Sequence, residues 1–229
     1  MSASIQPGSP VSGSSGSITK PGGPYDFRLA LPATWIRLDL NPRSRKDNID
    51  KLVRERLAAE PNAKKYWRAV ASLLDQVAVQ AVDSGAVRAW LYTDRIGDKP
   101  LSATLLVSIA PFNSHREGMA PVDLISERLS RHGAAGGRSS STSIVDLPTG
   151  LGVRFRRRLP VDIPGAGKSV EAETVQYWVP VPGVDAVLVL SFSSPILPLA
   201  ESFVELFDAI AGTLQWREER ESGESNATG

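Results

Sequence analysis

A glycine-rich segment that ends in lysine and serine is the first candidate for chemistry in this sequence. Gly165-Ala166-Gly167-Lys168-Ser169 matches the end of a phosphate-binding loop, but that motif needs a further glycine where Asp162 stands. The segment also joins two predicted strands, whereas a phosphate loop leads into a helix whose N-terminal amides face the anion. We therefore predict a plain hairpin loop here.

Other reactive groups are few. The chain has two histidines, His115 and His132, both predicted in or beside loops and neither in an HxxxH or HExxH pattern. It has no cysteine, which excludes disulfides, thiolate ligands and cysteine nucleophiles together, and it has no Gly-x-Ser-x-Gly segment to position a serine nucleophile. The sequence predicts no catalytic residue, no metal site and no cofactor.

Alternating charges mark two neighbouring strands. Arg156 and Arg158 share one face of a strand, and Glu171 and Glu173 share one face of the next. A loop centred near residues 164 and 165 would set Arg158 opposite Glu171 and Arg156 opposite Glu173, as cross-strand ion pairs on a solvated face. Buried glutamates with a raised pKa could instead act as acid and base.

The run from Arg154 to Arg158 has two further interpretations. It could bind nucleic acid with Phe155 as a stacking platform, or it could contact a protein partner, since arginine and exposed aromatic residues are favoured at interfaces. The aromatic residues could equally belong to the core. The candidate partner-binding residues are Arg154, Arg156, Arg158, Trp90, Tyr92 and Trp178.

Composition favours the protein-contact interpretation. The 26 lysine and arginine residues nearly balance the 25 acidic residues, for a net charge of +1, so no overall field would attract nucleic acid or an anionic membrane. No apolar stretch approaches the roughly 18 residues of a membrane span, and the first residues lack a signal-peptide pattern. We expect a cytoplasmic protein that binds neither nucleic acid nor membrane.

The most regular part of the sequence runs from Val170 to Trp216. Val170 to Val181 is rich in β-forming residues, Pro182-Gly183 supplies a turn, and Ala186 to Phe192 is an almost continuous apolar run. Such a run predicts a strand covered on both faces. Apolar residues then recur at helical spacing from Leu199 to Trp216, which predicts a closing helix.

The rest of the chain supplies further strands and helices. We predict strands at 25–31, 34–36, 87–93, 101–110, 144–147 and 151–159, helices at 42–60, 62–83 and 121–131, and a surface loop at 133–141. Trp67 and Trp216 are expected in the core, on helical apolar stripes. The polar segments 1–24 and 218–229 have too little apolar surface to pack and are predicted to be disordered tails.

These elements predict a single α+β domain over residues 25–217. We expect an α/β/α sandwich around a twisted, mainly antiparallel sheet of about seven or eight strands, with the helical pair of residues 42–83 near its N-terminus and the closing helix at its C-terminus.

Both ends of this domain resemble the Mog1/PsbP-like fold. Tyr25-Asp26-Phe27 leads to Pro32-Ala33-Thr34-Trp35, and the apolar strand Val187 to Phe192 is followed by a proline-rich break and a helix ending in Leu206-Phe207-Asp208-Ala209-Ile210. The resemblance covers about a quarter of the chain and implies an α/β/α sandwich whose known relatives act by binding proteins, without shared catalytic residues. The alanine- and arginine-rich composition also looks like that of an actinobacterial protein.

Two hypotheses about function follow. The first is a non-enzymatic interaction or accessory domain that docks a protein partner through a sheet surface or the open edge of its sheet. The alternative is a small-ligand-binding protein or enzyme with its site between the sheet and the helical pair of residues 42–83.

Overall fold

The computed structural model of the chain describes residues 25–57, 67–96, 99–112, 118–135, 140–163 and 168–218. The strands are β1 (Tyr25–Arg28), β2 (Trp35–Leu38), β3 (Ala86–Ile96), β4 (Lys99–Pro111), β5 (Ser140–Leu147), β6 (Gly150–Ile163), β7 (Lys168–Pro180), β8 (Ala186–Ser194) and β9 (Gln215–Glu218). The helices are α1 (Arg45–Leu57), α2 (Trp67–Asp83), α3 (Pro121–Ala135) and α4 (Ala200–Ala211), the last preceded by a 3-10 turn at Leu197–Leu199.

Seven of these strands form one antiparallel sheet in the order β2-β3-β4-β8-β7-β6-β5. The remaining two, β1 and β9, pair with each other in a separate antiparallel ribbon. Most neighbours in the large sheet are joined by hairpins, and β8 enters the middle of it between β4 and β7. The mixed α+β architecture with a mainly antiparallel sheet is therefore confirmed.

The closing helix α4 covers one face of the large sheet. Its apolar residues pack on a cluster formed by the inward side chains of β4, β7 and β8. Phe207 is fully buried there, stacked on Phe192 with ring centroids 4.7 Å apart and edge-on to Trp35 at 6.5 Å. The β1–β9 ribbon extends the same cluster through Phe27 and Trp216.

Three helices cover the opposite face. The α1–α2 pair packs on the β2–β3–β4 end through residues such as Ile49 and Ala78, and α3 packs on the β6–β7–β8 end through Ile125 and its neighbours. Along β8, Val187 and Val189 face α3 while Leu188 and Leu190 face α4. The apolar run of β8 is thus buried on both sides, as predicted.

The prediction of one continuous helix up to Trp216 is wrong. α4 ends at Ala211, where the Thr213 hydroxyl donates to the Ile210 carbonyl over 2.7 Å and accepts from the Ala30 amide over 3.0 Å. The chain then reverses into β9, and Trp216 pairs with Phe27 of β1. Leu214 and Trp216 lie two residues apart, so an extended chain places both inward, whereas a helix would turn them to opposite sides.

The end predicted for α3 and both ends of the loop predicted at 133–141 are also wrong. The helix continues through the exposed His132 to Ala135, and β5 already begins at Ser140. Gly133 is buried where a Cβ atom would lie 2.2 Å from the Ser140 Oγ atom. Glycine at this position therefore permits close packing of α3 on β5 and does not end the helix.

Parts of the sequence predictions lie outside the described residues. These parts are the segments 1–24 and 219–229, the end of the first predicted helix at 58–60, the residues 62–66 predicted to begin the second helix, His115, residues 136–139 of the predicted loop, and residues 164–167 of the glycine-rich segment. Within the described chain, Trp67 and Trp216 are both half-buried against apolar clusters.

We expect Phe207→Ala to lower the free energy of unfolding by about 3 to 5 kcal/mol, because it removes a fully buried ring and leaves a cavity beneath α4. Equilibrium urea unfolding measures this change. Ser202→Ala, at an exposed position of the same helix, is the matched control and should change stability by less than about 0.5 kcal/mol. A Phe207→Ala protein as stable as the parent would contradict the packing of α4.

Candidate functional site

The arginine row, defined as Arg154, Arg156 and Arg158, lies on the α4 face of β6, and its register corrects the predicted one. Arg158 is directly opposite Glu173, and Glu171 is opposite Pro160. The predicted Arg158–Glu171 pairing is therefore wrong. The reason is the loop, since Ile163 pairs with Lys168 and the loop centre falls one residue later than predicted, which moves every partner by two positions.

Glu173 is the centre of this face. Its side chain is only 3% exposed, and its two carboxylate oxygens accept hydrogen bonds from Arg156 Nε over 2.6 Å and from Arg158 Nε over 3.0 Å. The predicted Arg156–Glu173 ion pair is formed, but diagonally and out of solvent. A carboxylate held by two guanidinium groups is placed for structure rather than for proton transfer.

The arginine row also binds α4 to the sheet. Arg156 donates from Nη2 and Nη1 to the Glu201 carboxylate over 2.6 and 3.0 Å, and Arg154 donates to Asp208 over 2.6 Å. The hydrogen bonds to Glu201 and Glu173 hold the pKa of Arg156 above its ordinary value. The same contact with Arg156 lowers the pKa of Glu201.

The contact of α4 with the sheet continues at Tyr177, whose buried hydroxyl donates to Asp208. Burial first, and then the Asp208 carboxylate, raises the pKa of this hydroxyl. Arg154 and Tyr177 thus share one acceptor on α4. In the described structure, Arg154 and Arg156 are engaged within the molecule, and Arg158, half-exposed, keeps one bond to Glu173.

The three aromatic candidates do not join the arginine row in one surface. Trp90 and Tyr92 are half-buried on the α4 face near the opposite end of the sheet. The ring centroids of Tyr92 and Phe203 are 6.1 Å apart there. Trp178 is half-buried on the other face, beside the α3 cluster, and donates to Gln176 over 3.2 Å. All three pack against apolar clusters, which agrees with the alternative that these aromatic residues belong to the core.

The β5 edge, defined as the outer side of Ser140–Leu147, is an open edge of the kind that the first hypothesis needs, but the sequence did not locate it on this strand. β5 is the last strand of the large sheet and pairs only with β6 among the described strands. Five of its eight residues are exposed. The opposite edge strand, β2, has only four residues, of which two are buried. The sequence signal was weak because the serines of 140–143 are also typical of a loop.

An exposed apolar pair lies beside the β5 edge. Ile144 is 47% exposed and Leu151 is 53% exposed. Ile144 is opposite Val153 and Asp146 is opposite Leu151, so the two apolar side chains are diagonal neighbours on the α3 face. They extend the edge into a small apolar surface.

Arg157 is the unusual cation of this region. It points to the α3 face, opposite Ser140, with its guanidinium 5.2 Å from the centre of the Phe155 ring. Its Nε atom is buried and has no hydrogen-bond partner among the described residues. Burial lowers the pKa of Arg157. A cavity of about 330 Å³ lies beside it, lined by Ser140, Ser141, Arg156, Arg157, Arg158 and Glu173.

A second groove, of about 380 Å³, lies between the β2–β3 end of the sheet and α1. Asp39 lies in this groove and accepts hydrogen bonds from the Ser44 hydroxyl and the Asn48 amide over 2.6 Å each. These bonds, with one from the Asn41 amide, lower the pKa of Asp39. The carboxylate is used in the turn that leads into α1.

Other sites considered from the sequence receive no support from the geometry. Lys168 begins β7 directly, so the glycine-rich segment joins two strands, as predicted. No cluster of three potential metal ligands occurs among the described residues. In the same part of the chain, no helix has the length and apolar character needed to cross a membrane.

The comparisons with known proteins add no assignment. No protein-family model matches the chain, and no curated protein shows significant sequence similarity to it.

We expect Glu173→Ala to lower the free energy of unfolding by about 3 to 5 kcal/mol, because two guanidinium groups would lose the buried carboxylate between them. Urea unfolding with circular dichroism detection measures the change. Glu171→Ala, at an exposed position of the same strand face, is the control and should change stability far less. Equal effects of the two substitutions would refute a structural role for Glu173.

Acid should weaken the α4 contact at Glu201. Because Arg156 lowers the pKa of Glu201 below 4.5 in the folded state, the stabilisation is present above that value and lost as the pH falls through the lowered pKa. Glu201→Gln should therefore lower the urea midpoint at about pH 7 and have little effect at about pH 3. Glu205→Gln, at an exposed site on the same helix, should show no such dependence. A Glu201→Gln effect equal at both pH values would contradict this pairing.

Proposed function

We propose that this chain is a non-enzymatic protein-interaction or accessory domain that binds an extended segment of a protein partner along the β5 edge. The observation that carries the proposal is the exposure of an eight-residue edge strand in a sheet whose two faces are covered by helices. An unpaired edge offers a row of N–H and C=O groups, and strand addition is a common mode of peptide recognition.

The composition of β5 supports this function. Proteins commonly protect exposed edges with lysine, proline or bulges, because an open edge pairs with other chains. Ser140–Leu147 contains no lysine, proline or glycine, and its single charge is Asp146. Its pairing with β6 is regular over all eight residues. The edge is therefore flat and accessible, which is what an added strand requires.

The neighbouring side chains would supply selectivity. Ile144 and Leu151 form an apolar surface next to the edge, and an added strand would place alternate side chains against it. At the other end of β5, the cavity beside Arg157 offers a positive contact. In this proposal the arginine row stabilises α4, and Arg157 is the arginine that contacts the partner.

Membership of the Mog1/PsbP-like proteins is part of the same proposal. The α/β/α layers around an antiparallel sheet and the closing helix α4 are compatible with it. We further propose that the protein works in the cytoplasm, since a chain without cysteine fits a reducing compartment.

The groove between β2 and α1 supports the alternative, a small-ligand site next to the helical pair. This support is weaker, because the Asp39 carboxylate in the groove is already bonded to three groups of the turn before α1. A ligand there would compete with these local hydrogen bonds.

We expect a displayed library of random peptides to yield binders of the parent protein that Ile144→Lys no longer binds. A lysine at this position places a charge beside the edge, the usual protection against strand addition. The matched control is Leu73→Lys, which changes a 40% exposed leucine on α2 and should leave binding intact. Amide resonances of residues 142–145 should shift and gain protection from hydrogen exchange on binding.

Two results would contradict this function. One is the absence of any enriched peptide with folded parent protein, and the other is binding that Ile144→Lys leaves unchanged. Peptides or small molecules that shift the resonances of Leu40 and Leu52 in the other groove would favour the alternative.

A further inference from the structure

We infer that the occupant of the β5 edge is a second copy of this chain, which pairs its own β5 antiparallel to the first about a two-fold axis. This inference rests on the proposed function, because it uses the same edge and names the partner. It would join the two seven-stranded sheets into one continuous sheet. The register of β5 and two charges beside it favour this occupant.

Register limits the ways in which two copies can pair. In an antiparallel pair, directly opposite residues must both point their backbone groups towards the partner or both away from it. A two-fold axis through Ser143 meets this condition and pairs seven residues of β5 from each copy. Thr142 then lies opposite Ile144 of the second copy, and Ser140 lies opposite its Asp146.

This register brings two unpaired charges together. Asp146 is exposed and has no hydrogen-bond or ion-pair partner among the described residues, and Arg157 is likewise without an ionic partner in the described part of the chain. Arg157 lies directly opposite Ser140 within one copy. Asp146 of one copy, Ser140 and Arg157 of the other therefore form one row on the same face of the joined sheet.

The distances in this row allow attraction between the charges. Neighbouring strands lie about 4.8 Å apart, so Asp146 of one copy would be roughly 10 Å from Arg157 of the other between Cα atoms. The end of α3 packs on Ser140 at Gly133, so the two charges would attract across this gap rather than touch over the serine. The two-fold axis would place the same pair of charges at both ends of the interface.

The pairing would also correct an unfavourable feature of the single copy. A guanidinium group that is partly desolvated without a counter-charge destabilises a fold, and burial lowers the pKa of Arg157 accordingly. A carboxylate from the second copy supplies the missing charge. Because the interface consists of one strand and a few side chains, we expect a dimer that dissociates on dilution rather than an obligate one.

Charge reversal tests this interface with a matched rescue. Asp146→Arg gives a copy with two positive groups in the row, and Arg157→Glu gives a copy with two negative groups. Each variant should repel itself and sediment as a monomer where the parent is a dimer. In an equimolar mixture, both contacts become complementary, and the dimer should return. Analytical ultracentrifugation over about a hundredfold range of concentration measures each case.

Several controls make the result decisive. Asp83→Arg, a reversal at an exposed position of α2, should leave the dimer intact, and circular dichroism should show that every variant is folded. If Arg157→Glu fails to fold, Ile144→Lys replaces it, since lysine on the edge should also give a monomer. Higher salt should weaken the parent dimer.

The inference is overturned if the folded parent is monomeric throughout this range, or if its dimer survives Asp146→Arg and Ile144→Lys. It is also overturned if both charge variants are monomeric and their mixture stays so. Peptide selection on the monomeric Asp146→Arg protein separates this failure from that of the proposed function. A monomeric parent that still selects edge-binding peptides would leave the interaction function in place with a different partner.

Discussion

The buried carboxylate of Glu173 is the constraint on which the α4 side of the molecule depends. A charge removed from water is strongly unfavourable unless it is paired and hydrogen-bonded, and here two arginines of the neighbouring strand supply both. Arg156 must then lie between Glu173 and Glu201, which fixes the position of α4 above β6 and β7. The pairing of Arg154 and Tyr177 with Asp208 holds the helix at a second point, about two turns further along.

This use of the arginines changes where an interaction can occur. A row of three arginines on a sheet face suggests a surface for an acidic partner, yet two of the three are bound to acids of α4. With α4 on one face and three helices on the other, the sheet has little uncovered surface except at its edges. The β5 edge is the longer of the two, and the arginine beside it, Arg157, has the opposite orientation from the row. Function is therefore proposed at the boundary of the sheet rather than on its face.

Local patterns predicted most of the elements correctly. The apolar run of β8, the turn at Pro182-Gly183 with a positive φ of 70° at the glycine, and the helical stripe of α2 each depend on residues near one another in the sequence. Such patterns reflect the period of a strand or helix and the backbone freedom of glycine. The fold class followed from counting these elements and noting their hairpin connections. The fixed alternation of Arg154, Arg156 and Arg158 likewise placed them on one face before their partners were known.

The sequence by itself determined which residues would be strands, which would be helices and which faces would be apolar, because these depend on short-range periodicity. Only the tertiary structure decided which strands pair and which side chains lie opposite one another. A loop centre one residue later moved Arg158 from Glu171 to Glu173, and pairing with β1 turned the end of the predicted closing helix into β9. In the sequence, Gly133 looked like the end of a helix, but it lies inside α3 because the helix packs closely on Ser140 there. The identity of β5 as an open edge follows from the order of all seven strands, which no local pattern encodes, since strand order is a long-range property of the folded chain.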